Sequence, residues 1–538
     1  MKKLLLGNEA LAQGAIDAGL SGVYAYPGTP STEITEYIQK SKIAQELNIH
    51  SSWSVNEKTA METALGMSYA GKKSMVVMKH VGLNVAADVF MNMSVSGING
   101  GLVVVVADDP SMHSSQNEQD SRYYGKFAMI PILEPSNQQE CYDITKYAFE
   151  LSENLGLPVL IRLVTRLSHS RAGVVTGERI TQNNIHLPKI ATQFQLIPMH
   201  ARGRYKHLVD LQPDILEISE NSEFNTFYEG TNKTIGIIAS GIAYNYLMEN
   251  FEDGNCPYPV LKISQYPLPK EPIKQLFGTC EKILVLEDGY PFIEEAISDF
   301  LGENRKVIGR LSGDIPRVGE LNPDNIANAL GFDIVINDNL PKVVLGRPPQ
   351  LCVGCGHNDL FNAINALKNE SATQQVFGDI GCSALGVLSP YESINTLIEM
   401  GSSITMAIGA SNAGIHPAIA VIGDSTFTHS GMTGLLDAII EKTPITVIIS
   451  DNSAIAMTGA QDSAASGRLI TICKGLGIEE DHLKVITPLH KNLQENIDII
   501  RDEINYKGVS VIIAQRPCVQ LPKEKKDKLK EYTNVSIN

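Results

Sequence analysis

An aspartate at the end of one apolar run and an amide at the end of the next can grip a divalent cation, and this chain carries such a pair. Asp424 comes two places after the run Ala418-Ile419-Ala420-Val421-Ile422, and Asn452 two places after Thr446-Val447-Ile448-Ile449-Ser450. Both runs have strand length and strand composition. Between them, Gly431 to Lys442 has room for about three turns of helix, so the unit reads strand, turn, helix, strand. Both polar residues then fall just past the carboxyl ends of parallel strands, where open α/β sheets bind ligands. Mg²⁺ takes near-octahedral oxygen ligation and shares phosphate oxygens readily. Asp424 offers a charged oxygen, Asn452 an amide oxygen and Ala454 a backbone carbonyl. The chemistry would be that of a metal holding a diphosphate; two ordinary strand-end turns are the other reading of the same residues.

Gly423-Asp424-Ser425 with Asn452 resembles the metal-diphosphate motif of thiamine diphosphate enzymes, with Ser425 and Asp451 departing from its commonest form. Thiamine chemistry also needs a carboxylate against the aminopyrimidine ring, to promote the tautomer that takes the thiazolium proton. Glu57 opens an alanine-rich stretch, Lys58 to Ala70, with small residues at Ala60, Ala64 and Gly66. That spacing predicts a closely packed helix with Glu57 near its N-terminus, favoured by the helix dipole. The segment resembles the catalytic-glutamate segment of the superfamily; a first-turn acid that merely stabilises a helix is the alternative.

The elements that would position these residues are α/β throughout. Strand-like runs at Val23–Tyr26, Ser74–Met78, Gly101–Ala107 and Pro158–Arg162 alternate with helical stretches. From Val174 to Asn232 the chain turns polar, as a linker with some helix. A second α/β unit opens at Thr234–Gly241 and continues through Val260–Ile263 and Lys282–Glu287. Pro341, Pro348 and Pro349 punctuate a second linker over 335–350. The expected organisation is a pyrimidine-binding domain over 1–190, a linker over 191–233, a transketolase C-terminal-like domain over 234–340 and a diphosphate-binding domain over 341–538. The alternation gives α/β domains, and the resemblance implies three parallel-sheet α/β domains of the thiamine diphosphate superfamily as the fold class.

A formal net charge of −16 disfavours nucleic acid and anionic membrane as partners. The one basic cluster, Lys523 to Lys528, is interrupted by acids and reads as a solvated tail helix. No apolar run approaches the roughly 20 residues of a membrane span. Met1-Lys2-Lys3-Leu4-Leu5-Leu6 imitates a leader peptide but gives way at Gly7-Asn8-Glu9, so a cytoplasmic location is expected.

Long strings narrow the family. They include Ala25-Tyr26-Pro27-Gly28-Thr29-Pro30-Ser31-Thr32-Glu33, Lys79-His80-Val81-Gly82-Leu83-Asn84, the stretch Asp108 to Asp120, Cys352-Val353-Gly354-Cys355-Gly356-His357, Gly378-Asp379-Ile380-Gly381-Cys382, and Gly423 to Gly431. Together they resemble the thiamine-diphosphate-carrying alpha-subunit family of indolepyruvate:ferredoxin oxidoreductases, from Gly7 to about Cys518. The resemblance implies oxidative decarboxylation of an aryl 2-oxo acid, one-electron transfer to iron–sulfur carriers and capture of the acyl group by coenzyme A. It implies that Glu57 activates the cofactor and that Asp424, Asn452 and Ala454 hold Mg²⁺. A smaller beta subunit and ferredoxin or a cluster-bearing subunit are the implied partners. A dimer or heterotetramer is expected, because such enzymes build their site where pyrimidine and diphosphate domains meet.

Other residues are assigned with alternatives open. Thr29 faces the substrate or bonds its own turn. His80, His357 and His429 line the reaction chamber or serve as structural histidines; His80 and His429 are favoured for catalysis. Arg122 meets a substrate carboxylate or makes a surface salt bridge. Cys352-x-x-Cys355-Gly356-His357 with Cys382 has a zinc-like ligand count, but in relatives Cys355, Gly356, Gly381 and Cys382 lie against the cofactor, and that contact is expected here. Glu399 sits where relatives tend to carry a small or apolar residue. The family's ferredoxin-like module, with its Cys-x-x-Cys-x-x-Cys runs, has no counterpart after Cys518, and Cys141, Cys256, Cys280 and Cys473 are isolated. No iron–sulfur cluster is expected in the chain. Three readings follow: an oxidoreductase whose electrons leave through another subunit, a non-oxidative thiamine-dependent decarboxylase or lyase, and a silent structural subunit. Intact Glu57, Asp424 and Asn452 disfavour the last.

Overall fold

The computed structural model describes residues 2–298, 306–333, 343–346, 348–368 and 374–527, which gather into two compact units, 1–338 and 339–538.

The first unit is built on two sheets. A seven-stranded sheet runs in the order Gln265–Tyr266, Ile132–Leu133, Val159–Val164, Leu102–Asp108, Ser74–Lys79, Gly22–Ala25, His50–Trp53. Its members are parallel except Gln265–Tyr266, which joins the edge antiparallel. Alternate residues of Leu102–Asp108 enter two different cores: Val103, Val105 and Ala107 one, Val104 and Val106 the other. A strand covered on both faces in this way reads as an unbroken apolar run. The second sheet has five strands, with Val307–Ile308, Lys282–Leu286, Ile235–Ser240 and Val260–Ile263 parallel and Thr226–Tyr228 antiparallel at the edge.

Two parts of this unit add to the sequence reading. Lys2–Leu6, whose likeness to a leader ends at Gly7, is a strand paired antiparallel with Arg171–Val175. The polar stretch before Asn232 holds the helices Pro198–Asp210 and Gln212–Glu220, whose Leu208 and Ile215 form a small core with Leu157. Of the second linker, residues 335–342 and 347 lie outside the described residues.

The second unit centres on six parallel strands in the order Thr396–Leu397, Gln375–Gly378, Ala418–Gly423, Thr446–Asp451, Ser510–Gln515, Leu483–Ile486. Ile419 and Val421 pack into one core and Ala420 and Ile422 into the opposite one, so this sheet too is covered on both faces. The segment 523–527 is helical and mostly exposed; Lys528 lies outside the described residues. Among the described residues no helix is long and apolar enough to cross a membrane.

Candidate active site

In the first unit, Glu57 is the first residue of the helix Glu57–Tyr69 and is 5 % exposed. Asn56 caps that helix, its Oδ1 accepting the Thr59 N–H at 2.9 Å. Opposite lies Gly82, in the short helix His80–Val85: a Cβ there would stand 2.6 Å from Glu57 Oε1, so only glycine leaves the carboxylate its place. His80, buried at 1 % exposure, donates from Nε2 to the Asn117 carbonyl at 3.1 Å. That bond fixes Nδ1 as the acceptor nitrogen of the neutral ring, and among the described residues Nδ1 is buried with no hydrogen-bond partner. Thr29 is half-buried in a turn held by Ser31, whose N–H and Oγ both donate to the Gly28 carbonyl. Its own carbonyl accepts Ser114 Oγ at 3.3 Å. Glu57, His80 and Thr29 all stand at the carboxyl end of the seven-stranded sheet.

Arg122, expected to meet a substrate carboxylate or a surface acid, does neither. Its side chain is 0 % exposed and paired with Asp120 at 2.5 Å, Glu287 at 2.9 Å and Glu134 at 3.7 Å. It also donates to the Tyr290 carbonyl at 3.0 Å. Arg162 lies alongside, equally buried, on Asp108 at 2.6 Å and Glu134 at 2.5 Å. Burial pushes the Glu287 carboxyl up to about 7 and that of Asp288 up to about 6, against the pull of the arginines. A desolvated guanidinium is tolerated only when fully paired. Glu134 and Glu287 supply that pairing from segments that the local sequence around Arg122 does not reveal.

In the second unit, the strand Ala418–Gly423 passes directly into helix at Asp424 rather than through the expected turn. Asp424–Thr426 continues into one wide π-type turn, Phe427–Gly431, and then Met432–Glu441. Such turns mark functional segments often enough to be noticed. Asp424 is 1 % exposed, and among the described residues its Oδ2 has no hydrogen-bond partner. Burial, reinforced by the neighbouring Asp451, pushes its carboxyl up to about 8. Asp451 is satisfied by contrast: Oδ2 accepts Gln515 Nε2 at 2.9 Å and Oδ1 accepts the Ser453 N–H at 3.0 Å. Asn452 Oδ1 accepts the N–H of Ala454 at 3.0 Å. Gly423 and Ser425 flank Asp424, both half-buried. Thr426 Oγ1 donates to the Ile380 carbonyl at 3.1 Å, tying this segment to Asp379-Ile380-Gly381-Cys382. Gly381 has φ 142°, a backbone setting that favours glycine. His429, in the π-type turn, is 5 % exposed, with Nδ1 2.6 Å from Ser430 Oγ.

One grouping was not visible in the sequence. Cys352, Cys355, Cys382 and Cys518 all line a single cavity of about 190 Å³, together with Asn452 and His357. Gly354, at φ 75°, turns the chain so that the Cys355 N–H reaches the Cys352 carbonyl at 3.1 Å. The Cys518 N–H donates to the Asn452 carbonyl at 2.9 Å, which anchors the fourth thiol beside the candidate metal turn. His357 is 3 % exposed, 3.3 Å from Cys355 Sγ through Nδ1 and 3.0 Å from Ser450 Oγ through Nε2, and burial holds it neutral by lowering it to about 4. Cys382 is pushed up to about 12 by burial and by the other thiols. Among the described residues no three His, Cys, Asp or Glu side chains stand close enough to hold a single metal ion. That disfavours a single zinc ion on these thiols, which would have to lie about 2.3 Å from each sulfur.

Comparison with known proteins accounts for both units. Residues 13–200 match the family model described as "Pyruvate flavodoxin/ferredoxin oxidoreductase, thiamine diP-bdg". Residues 379–512 match "Thiamine pyrophosphate enzyme, C-terminal TPP binding domain", thiamine pyrophosphate being the same compound as thiamine diphosphate. "Indolepyruvate oxidoreductase subunit IorA" of Archaeoglobus fulgidus is 38% identical, over 97% of this chain and 87% of its own. The protein of the same name from Methanothermobacter thermautotrophicus is 36% identical, over 96% and 87%. "2-oxoglutarate synthase subunit KorA" of Methanocaldococcus jannaschii is 28% identical over 35% of this chain and 52% of that one. With identity of this order along nearly its whole length, the chain belongs to the indolepyruvate oxidoreductase IorA subunit family of thiamine-diphosphate-dependent 2-oxoacid oxidoreductases.

Proposed function

We propose that this chain carries out oxidative decarboxylation of an aryl 2-oxo acid of the indolepyruvate kind, giving the acyl-coenzyme A and passing electrons to ferredoxin. The observation that carries the oxidative reading is the convergence of four thiols on one cavity beside Asn452. A decarboxylase that releases an aldehyde has no use for such a group, whereas an oxidoreductase needs a one-electron exit. Four cysteine thiolates are the usual ligand set of an iron–sulfur cluster. We therefore replace the expectation of a cluster-free chain with a cluster held by Cys352, Cys355, Cys382 and Cys518; bound there, it would accept electrons singly.

Thiamine diphosphate, when bound, supplies the electron sink for loss of CO₂. The protein's part is to orient, to exclude water and to move protons. Glu57 holds and returns the proton exchanged with the aminopyrimidine. His80 presents a bare Nδ1 as acceptor, and His429 stands in the helix that follows Asp424. Asp424, Asn452 and the Ala454 carbonyl would hold Mg²⁺: a buried, unpartnered carboxylate oxygen pressed by a second carboxylate is a site that a divalent cation relieves. Cys355, Gly356, His357, Gly381 and Cys382 would line the cofactor side of the second unit. The domain division 1–190, 191–233, 234–340 and 341–538 is kept as the functional map. Since the curated relatives are named as subunits, a smaller partner subunit is part of the proposal, as is coenzyme A.

The test is anaerobic turnover of indolepyruvate by the iron- and sulfide-reconstituted protein with thiamine diphosphate, Mg²⁺ and coenzyme A, with and without a viologen dye. CO₂ release that requires the dye, together with loss of bound iron in Cys518→Ser, is the expected result. Dye-independent CO₂ release with aldehyde formation would instead make the chain a decarboxylase. Within the same assay, Gly82→Ala should lower kcat about 100-fold, because displacing the Glu57 carboxylate by an ångström costs that order. The fold should persist, with a stability loss of about 1–3 kcal/mol from overpacking.

A further inference from the structure

With Arg122 sealed among carboxylates, the first unit needs another cation if it is to receive a 2-oxo acid, and one stands at the right end of the sheet. Lys79 closes the strand Ser74–Lys79 and directly precedes His80. Its stem lies along the Pro27-Gly28-Thr29 turn: a Cβ on Gly28 would meet Lys79 Cγ and Cδ at 3.1 Å. Its Nζ donates to the Ser114 carbonyl at 3.1 Å, and Ser114 Oγ in turn donates to the Thr29 carbonyl at 3.3 Å. One side chain thus touches the turn that carries Thr29 and leads into the helix that carries Gly82, which abuts Glu57.

The ammonium lacks a close counter-ion. Among the described residues no carboxylate lies within the 4.0 Å of an ion pair with Lys79. Asp109 and Glu57 act on it only from longer range, while burial weakens its hold on its proton. Asp109 is already committed, Oδ1 to Thr165 Oγ1 at 2.6 Å and Oδ2 to the Ser114 N–H at 2.8 Å and Ser115 Oγ at 2.8 Å. Lys72 and Lys306 also give Nζ to a backbone carbonyl, of Asn183 and Phe277, but each lies just before a strand, whereas Lys79 stands at the carboxyl end of its strand beside Thr29 and His80. A half-buried ammonium with a neutral carbonyl as its close acceptor is a site for an incoming anion.

We propose that Lys79 receives the carboxylate of the 2-oxo acid and thereby sets the substrate against the turn that carries Thr29. This rests on the function proposed above. A lysine suits the task better than an arginine, because the bound carboxylate must leave as neutral CO₂. A grip stronger in the ground state than in the transition state slows that step, and a single ammonium grips a carboxylate less firmly than a bidentate guanidinium.

The test measures KM and kcat for indolepyruvate in wild type, Lys79→Gln and Lys79→Arg, with the methyl ester of indolepyruvate as a competitive inhibitor lacking the charge. Lys79→Gln should raise KM about 10- to 100-fold, the worth of one charge-assisted hydrogen bond, and leave the ester's inhibition constant within twofold. Lys79→Arg should keep KM low and reduce kcat. An acid KM within twofold of wild type in Lys79→Gln overturns the proposal, as does an equal loss for acid and ester. A wild-type protein that releases no CO₂ from any aryl 2-oxo acid overturns the functional reading and this one with it, and is recognised before any variant is compared.

Discussion

Glu57→Gln should lower kcat for CO₂ release by about two to four orders of magnitude, the range that a positioned proton-transfer group contributes. The substitution keeps the shape and the polar tip but removes the ability to hold a proton. Glu57 sits at the start of a capped helix, is 5 % exposed and is hemmed in by Gly82, so Gln should occupy the same volume without repacking. Thiamine diphosphate and Mg²⁺ binding, followed by titration calorimetry, should stay within a few-fold of wild type, since the proposed metal ligands lie in the other unit. Exchange of the cofactor's C2 proton into D₂O should slow in parallel with kcat. A Gln variant that keeps more than a third of wild-type turnover would remove Glu57 from the mechanism.

The second large effect is on stability. Arg122→Met should destabilise the protein by about 3–5 kcal/mol, the usual consequence of leaving buried charges without their counter-ion. Asp120 and Glu287 lose their nearest cation, and Glu134 keeps only Arg162. The deficit should depend on pH in a definite sense. Without the guanidinium, the Glu287 carboxyl, already pushed up to about 7 by burial, rises further above its unfolded value near 4, and Asp120 loses a cation that holds its carboxyl low. A raised acid contributes stability that is present below its unfolded pKa and lost as pH climbs toward its folded one. Urea unfolding should therefore show a small difference from wild type near pH 4 and a larger one at pH 7. A uniform deficit across that span would mean that packing, not charge, explains the loss. The double variant Arg122→Met, Glu287→Gln should recover part of it.

The sheet strands were legible within a residue or two because strands buried on both faces must be apolar at every position. Val260–Ile263 falls on the expected residues, and Thr446–Asp451 extends the reading by one. The sites at strand ends were legible for a related reason: polar residues just past an apolar run have few other places to go. Applied to every strand of the second unit, that rule would also have found Cys518. Gln375–Gly378, Ala418–Gly423, Thr446–Asp451 and Ser510–Gln515 are parallel neighbours. Cys382, Asp424, Asn452 and Cys518 follow their ends and meet on one edge. Counting cysteines by sequence spacing alone hides this, because ligand sets assembled by a sheet need no short repeat.

Arg122 was misplaced for the opposite reason. Its partners Glu134 and Glu287 come from the first sheet's edge and from the second sheet. Nothing local distinguishes a guanidinium locked by distant carboxylates from one awaiting a ligand. The direct passage from strand to helix at Asp424, with its wide turn, was equally beyond the periodicity, which located only the regular helix after Gly431.

The antiparallel strand Gln265–Tyr266 on the edge of the seven-stranded sheet has a consequence for how the chain is made. Its partner Ile132–Leu133 emerges from the ribosome long before it. At roughly 5–20 residues per second, the gap corresponds to something like ten seconds of synthesis. Through that interval the nascent first sheet has an unclosed edge, and Arg122 waits for Glu287 and for the Tyr266 hydroxyl. The first unit can be sealed only once translation has passed Glu287, so a ribosome stalled before that point leaves a sticky, charge-unbalanced intermediate for chaperones to shelter.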